Sequence, residues 1–285
     1  MKLQALFDYT IKRHFPQAVN HENPAVFMLN EVIKQQAQLI AQWSRVGFIH
    51  GVMNTDNMAI CGQTIDYGPC AFMDTYHPDT VFSSIDSHGR YAFANQAVIA
   101  KWNIARLAES LLPLIDEDEG KAITIAQACL ETFSVMHEQN WLQMMSSKLG
   151  FIQTSHDHHQ LIDALLSIMQ TYKLDYNKTF SDLAYEDTEQ LCQIEAFNRW
   201  YHNWQQKIKQ TKDHSFTLMQ QNNPWIIPRN HRVEQALLAA ENENYQPFFD
   251  LVKVLGQPFQ KNVDLLLYHT PPKPGQWLEQ TFCGT

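Results

Sequence analysis

HGVMNTDNMAICGQTIDYGP, residues 50–69, is where the chain stops reading as helix. Glycine, asparagine and aspartate crowd this stretch. Its two apolar runs, Met58-Ala59-Ile60 and Thr64-Ile65, are too short for helices and suit a small hairpin between loops. Three oxygen-bearing side chains stand in those loops: Asp56, Asn57 and Asp66. A hairpin brings its flanking loops side by side, so an amide oxygen of Asn57 and a carboxylate of Asp66 can share one hard cation. Mg2+ takes oxygen ligands, retains several waters and is commonly completed by substrate phosphates. The chemical reading is therefore a Mg-nucleotide site rather than a zinc site. On spacing alone the alternative stays open, because Asp-Tyr-Gly is also an ordinary turn sequence in which glycine supplies positive φ.

Working outward, most of the chain has helical periodicity. From Pro24 to Gly47, apolar residues recur at Val26, Leu29, Ile33, Ala37, Ile40 and Trp43, one face of a long amphipathic helix. Helical spacing resumes from Asn95 to Leu114, with Val98, Trp102, Ala105, Leu107 and Leu111 on or near one face. An acidic break covers Asp116 to Gly120. Later helices are expected at about 121–147, 158–173, 188–209, 230–243 and 246–255. Pro271, Pro272 and Pro274 forbid regular helix in the tail. No repeat, low-complexity tract or linker divides the sequence, so residues 1–285 read as a single, mainly α unit with one irregular insert.

Composition excludes several classes. Of 285 residues, 45% are hydrophobic and 18% charged, enough for a sizeable core. No apolar run approaches the ~20 residues that span a bilayer, so no membrane role is expected. A net charge of −9 argues against nucleic-acid binding, which needs a basic face. The five cysteines are scattered, with no CxxC pair, as in a reducing compartment with most thiols buried. His156-Asp157-His158-His159 lacks regular ligand spacing and reads as a solvated helix entry. Trp200, Tyr201 and Trp204 read as a core-facing aromatic stripe rather than a base-stacking platform. Arg229-Asn230-His231 reads as a cap and packing site.

The layout of residues 50–68 is also that of a protein kinase. A kinase catalytic loop begins His-Arg-Asp or His-Gly-Asp, carries Asn five residues beyond that Asp, and is followed by Asp-Phe-Gly. Here His50-Gly51 is present, Asn57 has the kinase offset, and Asp66-Tyr67-Gly68 stands for Asp-Phe-Gly. The catalytic Asp, however, is replaced by Val52, which cannot accept a proton. Phosphoryl transfer is thereby disfavoured, and Asp56 is the displaced carboxylate.

HGVMNTDNM, TIDYGP-x-x-FMD, GRYAF-x-NQ, WN-x-x-RLAE and NPWIIPRNH (residues 223–231) together closely resemble the selenoprotein O family, also called SelO or YdiU. The resemblance covers essentially the whole chain. It implies a mainly α, protein-kinase-like C-lobe with a short β-hairpin at the catalytic and metal loops. It also implies a protein adenylyltransferase that binds ATP in an inverted orientation. AMP would go to Ser, Thr or Tyr hydroxyls of protein substrates, in a bacterial cytoplasm. By motif, Asp56 is implied as the proton acceptor, and Asn57 and Asp66 as ligands of Mg2+, with Mn2+ as the substitute. Asp66 also lies near the ATP phosphates in that reading. The alternative is a catalytically inactive, pseudokinase-like binding module.

The resemblance also implies that a terminal cysteine, Cys283, can pair with a cysteine of the activation segment, whose nearest counterpart is Cys70. The reading preferred here leaves both thiols unpaired. Ala97 stands where the family pattern has Pro, a change expected to affect only a helix start. The family's ATP-clamping N-terminal lobe, with its Lys, Glu and Arg residues, finds no counterpart in residues 1–49. This chain alone is therefore expected to bind ATP weakly and transfer AMP poorly.

Overall fold

The computed structural model describes residues 2–282 and is mainly helical. Eleven α-helices are assigned: α1 (Lys2–His14), α2 (Pro24–Val46), α3 (Gln96–Ile115), α4 (Glu119–Lys148), α5 (His158–Thr171), α6 (Tyr176–Ala184), α7 (Glu195–Ile208), α8 (Lys212–Asn222), α9 (Asn230–Glu241), α10 (Gln246–Leu255) and the single turn α11 (Leu266–His269). Two short strands, β1 (Phe48–Ile49) and β2 (Ala71–Phe72), pair antiparallel with Phe48 opposite Phe72 and Ile49 opposite Ala71. The chain divides into two compact units. One comprises the chain through Ala41, Val52–Tyr67 and Asn95–Asn140; the other comprises Gln42–Gly51, Gly68–Ala94 and the chain from Trp141.

In the first unit the expected α2 stripe is buried, with Leu29, Ile33 and Ala37 sealed from solvent. Asn23 joins two helix ends: its Oδ1 accepts from the Val26 N–H at 3.1 Å, and its Nδ2 donates to the Ile115 carbonyl at 2.8 Å. One amide thus serves an orphan donor of α2 and an orphan acceptor of α3. The buried face of α3 differs from the expected one. Val98 and Trp102 are exposed, whereas Ile99, Asn103, Ile104, Ala108 and Leu111 are buried. The helix is rotated because Asn103 turns inward to donate to the Met53 carbonyl at 2.8 Å, a bond that outweighs the apolar preference of its neighbours.

The second unit holds a large apolar core that includes Leu149, Leu165, Met169, Tyr176, Phe180, Phe197, Trp204 and Met219. Trp200 and Trp204 stack at 5.9 Å, and their indole N–H groups donate to the Leu161 and Leu149 carbonyls. The aromatic stripe of α7 is therefore core, as its sequence suggested. Of the four described cysteines only Cys129 is buried; Cys61, Cys70 and Cys192 are half-buried, against the expectation of mostly buried thiols. Each sits in or beside an irregular or helix-edge segment rather than on a core stripe.

The last turn of α2 is capped entirely from this unit. Tyr176 Oη donates to the Ser44 carbonyl at 2.8 Å, Lys148 Nζ to Arg45 at 2.7 Å, and Asn177 Nδ2 to Val46 at 2.8 Å. The Met73 N–H donates to Gly47 at 2.8 Å. The carbonyls of the last three residues of α2 and of Gly47 after it each gain a donor. Lys148 is fully buried, 4.1 Å from the Phe180 ring centroid, and burial pushes its amine well below the usual lysine range. Gly47, at φ +69, ends the helix and aims the chain into β1.

Candidate functional site

Residues 52–67 lie in the first unit. The expected hairpin is present in reduced form: Met58 and Thr64 make one antiparallel bridge, and the Gly62 N–H closes the tip on the Ala59 carbonyl at 3.0 Å. The two-stranded sheet is formed elsewhere, by β1 and β2. A single bridge suffices because side chains from the helices support the hairpin. Gln36 Nε2 of α2 donates to the Ala59 carbonyl at 2.7 Å, and Asn103 of α3 holds Met53.

Asn57 stands one residue before the bridge and Asp66 two residues after it, so both leave the same end of the hairpin. A 3-10 turn, Thr55–Asn57, carries Asp56 and Asn57. Asn57 is half-buried, and its Nδ2 donates to the Val52 carbonyl at 2.9 Å. With the amide nitrogen committed inward, the remaining polar atom is Oδ1, an oxygen acceptor. Asp56 and Asp66 are both exposed. Asp66 adopts φ +54, a left-handed conformation uncommon for a residue with a Cβ. Strained backbone of this kind gathers at ligand-binding sites and costs about 1–3 kcal/mol. Val52 is buried, 7% exposed, and offers only methyl groups where a kinase presents its carboxylate.

Asn57 Oδ1 is a neutral oxygen donor and the Asp66 side chain a carboxylate, the donor types that a hard divalent cation takes. Among the described residues no three His, Cys, Asp or Glu side chains gather into a metal-binding set. His158, from the histidine cluster, is occupied structurally. Its Nδ1 is 2.9 Å from Ser146 Oγ and its ring stacks on Phe151 at 3.9 Å.

In the second unit, the segments that flank residues 52–67 are fixed by groups the sequence reading did not assign to this task. Gly51 is at φ +83, and a Cβ there would stand 2.7 Å from the Pro69 carbonyl oxygen; glycine is what allows the close approach. Asn230 acts as a surrogate strand for β2: its Oδ1 accepts from the Phe72 N–H at 3.0 Å and its Nδ2 donates to the Phe72 carbonyl at 2.7 Å. Arg229, 2% exposed, donates to Asp74 at 2.7 Å and to Asp175 at 2.6 Å. Burial pushes the Asp74 carboxyl up, and the Arg229 guanidinium opposes that rise. The packing role read for Arg229-Asn230-His231 holds, but Arg229 makes no side-chain cap on α9. Cys70 follows Pro69 and is half-buried, whereas its implied partner Cys283 lies outside the described residues.

The features described so far define a mainly helical protein in which Asn57 and Asp66 flank one small hairpin. No helix among the described residues is long and apolar enough to cross a membrane. The chain belongs to the family described as protein adenylyltransferase SelO, whose sequence profile matches residues 1–256. It is 50% identical over 289 residues to a protein nucleotidyltransferase YdiU of Bacillus cereus (strain B4264), covering 99% of this chain and 59% of that protein. A protein of the same description from Anoxybacillus flavithermus is 51% identical over 288 residues, 100% of this chain and 60% of the relative. One from Clostridium beijerinckii is 50% identical over 290 residues, 100% of this chain and 59% of the relative. The chain thus spans about three fifths of the length of these curated relatives.

Proposed function

We propose that this chain carries the metal-and-phosphate part of a protein adenylyltransferase with protein-kinase-like C-lobe architecture. The observation that carries the reading is the Met58–Thr64 bridge, which leaves Asn57 and Asp66 at the same end of one hairpin. In this reading Asn57 Oδ1 and the Asp66 carboxylate hold Mg2+, and Asp66 faces the ATP phosphates. When bound, the metal neutralises charge on the phosphate under attack.

Asp56 accepts the proton of a Ser, Thr or Tyr hydroxyl on a protein substrate. The hydroxyl oxygen bonds to the α-phosphorus, the bond from that phosphorus to the bridging oxygen breaks, and pyrophosphate leaves. Buried Val52 supports AMP transfer over phosphoryl transfer, because no carboxylate stands at the kinase position. The names of the relatives support the nucleotidyl class.

Two measurements test the reading. Mn2+ titration in the presence of ATP, followed by electron paramagnetic resonance, should show binding weakened at least about tenfold in Asp66→Ala and in Asn57→Ala. Binding by Asp66→Ala equal to the unmodified protein would remove the ligand assignment. With the family's ATP-clamping N-terminal lobe supplied, label from [α-32P]ATP should appear on protein with release of pyrophosphate; label from [γ-32P]ATP on protein, with ADP formed, would replace nucleotidyl by phosphoryl transfer.

A further inference from the structure

The turn that carries Asp56 and Asn57 is bracketed by one buried amide, that of Asn103 on α3. Its Nδ2 donates to the Met53 carbonyl at 2.8 Å and also reaches the Met58 sulfur. Residues 53 and 58 are the two ends of a short closed loop. Within it the Asn57 N–H donates to the Asn54 carbonyl at 3.0 Å, and Asn57 Nδ2 donates to the Val52 carbonyl at 2.9 Å. Met53 is 1% exposed, so this end of the loop is anchored in the core, whereas Asp56 is exposed. The placement of Asp56 and Asn57 thus depends on one fixed point of a long helix.

Gln36 has a different task. It grips the Ala59 carbonyl, on the tip side of the Met58–Thr64 bridge. Asn103 grips the other side, where Asn57 and Asp66 stand. An asparagine at this position is also a departure from its surroundings. Its neighbours on the buried face of α3, Ile99, Ile104, Ala108 and Leu111, are apolar. Asn103 Oδ1 is buried with no hydrogen-bond partner among the described residues, a cost that an apolar side chain would not carry. A core position that breaks the local pattern at a cost is the mark of a segment held for function.

We propose that Asn103 is a positioning residue for metal binding: by holding the loop at Met53 and Met58 it sets where Asn57 Oδ1 stands. The proposal rests on the reading of Asn57 and Asp66 as metal ligands and adds to it the group that acts through Asn57.

The test is the Mn2+ titration with ATP, followed by electron paramagnetic resonance, on a set of variants. Asn103→Leu, close in volume, should weaken Mn2+ binding about tenfold, the low end of what outer groups of a metal site cost, with little change in Tm. Leu111→Ala, which empties core on the same face of α3, should lower Tm further yet leave Mn2+ binding within about twofold. A double variant separates positioning from general support of the fold. On an Asn57→Ala background, Asn103→Leu should weaken binding by less than about twofold more, because the ligand it acts through is already gone. Should Asn103→Leu fail to fold by circular dichroism, Asn103→Ser, whose hydroxyl stops short of the Met53 carbonyl, takes its place.

Unchanged Mn2+ affinity in a folded Asn103 variant would overturn the proposal. So would equal weakening by Leu111→Ala, or a full tenfold effect on the Asn57→Ala background. These failures are distinct from failure of the ligand reading. That reading falls, and the proposal with it, when Asp66→Ala binds Mn2+ like the unmodified protein; it stands when Asp66→Ala loses binding and Asn103→Leu does not.

Discussion

Replacing Arg229 by methionine is the most direct test of what fixes β2. The guanidinium is 2% exposed and lies between two carboxylates, 2.7 Å from Asp74 and 2.6 Å from Asp175, with a further 3.3 Å contact to the His269 carbonyl. Methionine fills most of the volume but leaves two largely buried carboxylates without a cation. Breaking a buried pair in this way costs about 3–5 kcal/mol. At roughly 2–4 °C per kcal/mol for a chain of this size, Tm should fall by about 6–20 °C at neutral pH.

The loss has a definite pH dependence. Without Arg229 the Asp74 carboxyl, already raised by burial, rises further above its unfolded value. A carboxyl raised in this way binds protons in the folded state first, so it favours folding at low pH and loses that contribution as pH rises through its folded value. The deficit of Arg229→Met relative to the unmodified protein should therefore be largest near pH 7 and shrink toward pH 4. Asp74→Asn in the same background should recover part of it. Circular dichroism melts at several pH values measure both. A variant melting within about 2 °C of the unmodified protein at pH 7, or a deficit flat across that range, would refute the reasoning.

Three other outcomes are expected. Burial holds the His269 ring down to about 4, from the ordinary 6.5; the unfolded ring takes up its proton first as pH falls, so stability should drop by about 2 kcal/mol between pH 7 and pH 5. His269→Gln should flatten that part of the urea-midpoint profile. Gly51→Ala should cost more than the about 1–2 kcal/mol of a left-handed alanine, because its Cβ also meets a backbone oxygen at 2.7 Å. Gly275→Ala, at φ +84 with open space around it, should cost only the backbone part, and paired denaturant melts compare the two. Asp66→Gly should raise stability by about 1 kcal/mol by relieving φ +54 while weakening Mn2+ binding. A loss of stability instead would show that the Asp66 side chain is structural.

The parts of the fold that the sequence revealed most directly are those where one face is apolar, as in α2 and α5. The spans of α4, α9 and α10 also match the helical spacing read from the sequence, although α10 buries only Leu251. For α6 the pattern fails for a physical reason. Asn177, Thr179, Ser181 and Asp182 are all buried, so the helix lacks an apolar stripe. Asn177 and Tyr176 point inward to cap α2, a partner more than 130 residues away in sequence.

Helix α8 buries only Ser215 and Met219, too little to register as a face. The β1–β2 sheet was missed because two-residue strands carry no alternation. That Asn57 and Asp66 flank one small hairpin was legible from spacing. The groups that hold the hairpin were not: Gln36 and Asn103 act through single amides whose backbone targets no periodicity can locate.

The amine of Lys148 has a use beyond capping a helix. Sealed beneath Phe180 and Tyr176, it is sterically shut off from reagents. An acylating reagent should spare it in the native protein and modify it only when the α2–α6 junction opens. The rate at which mass spectrometry detects that single adduct, relative to surface lysines such as Lys34, would time the opening without any engineered probe.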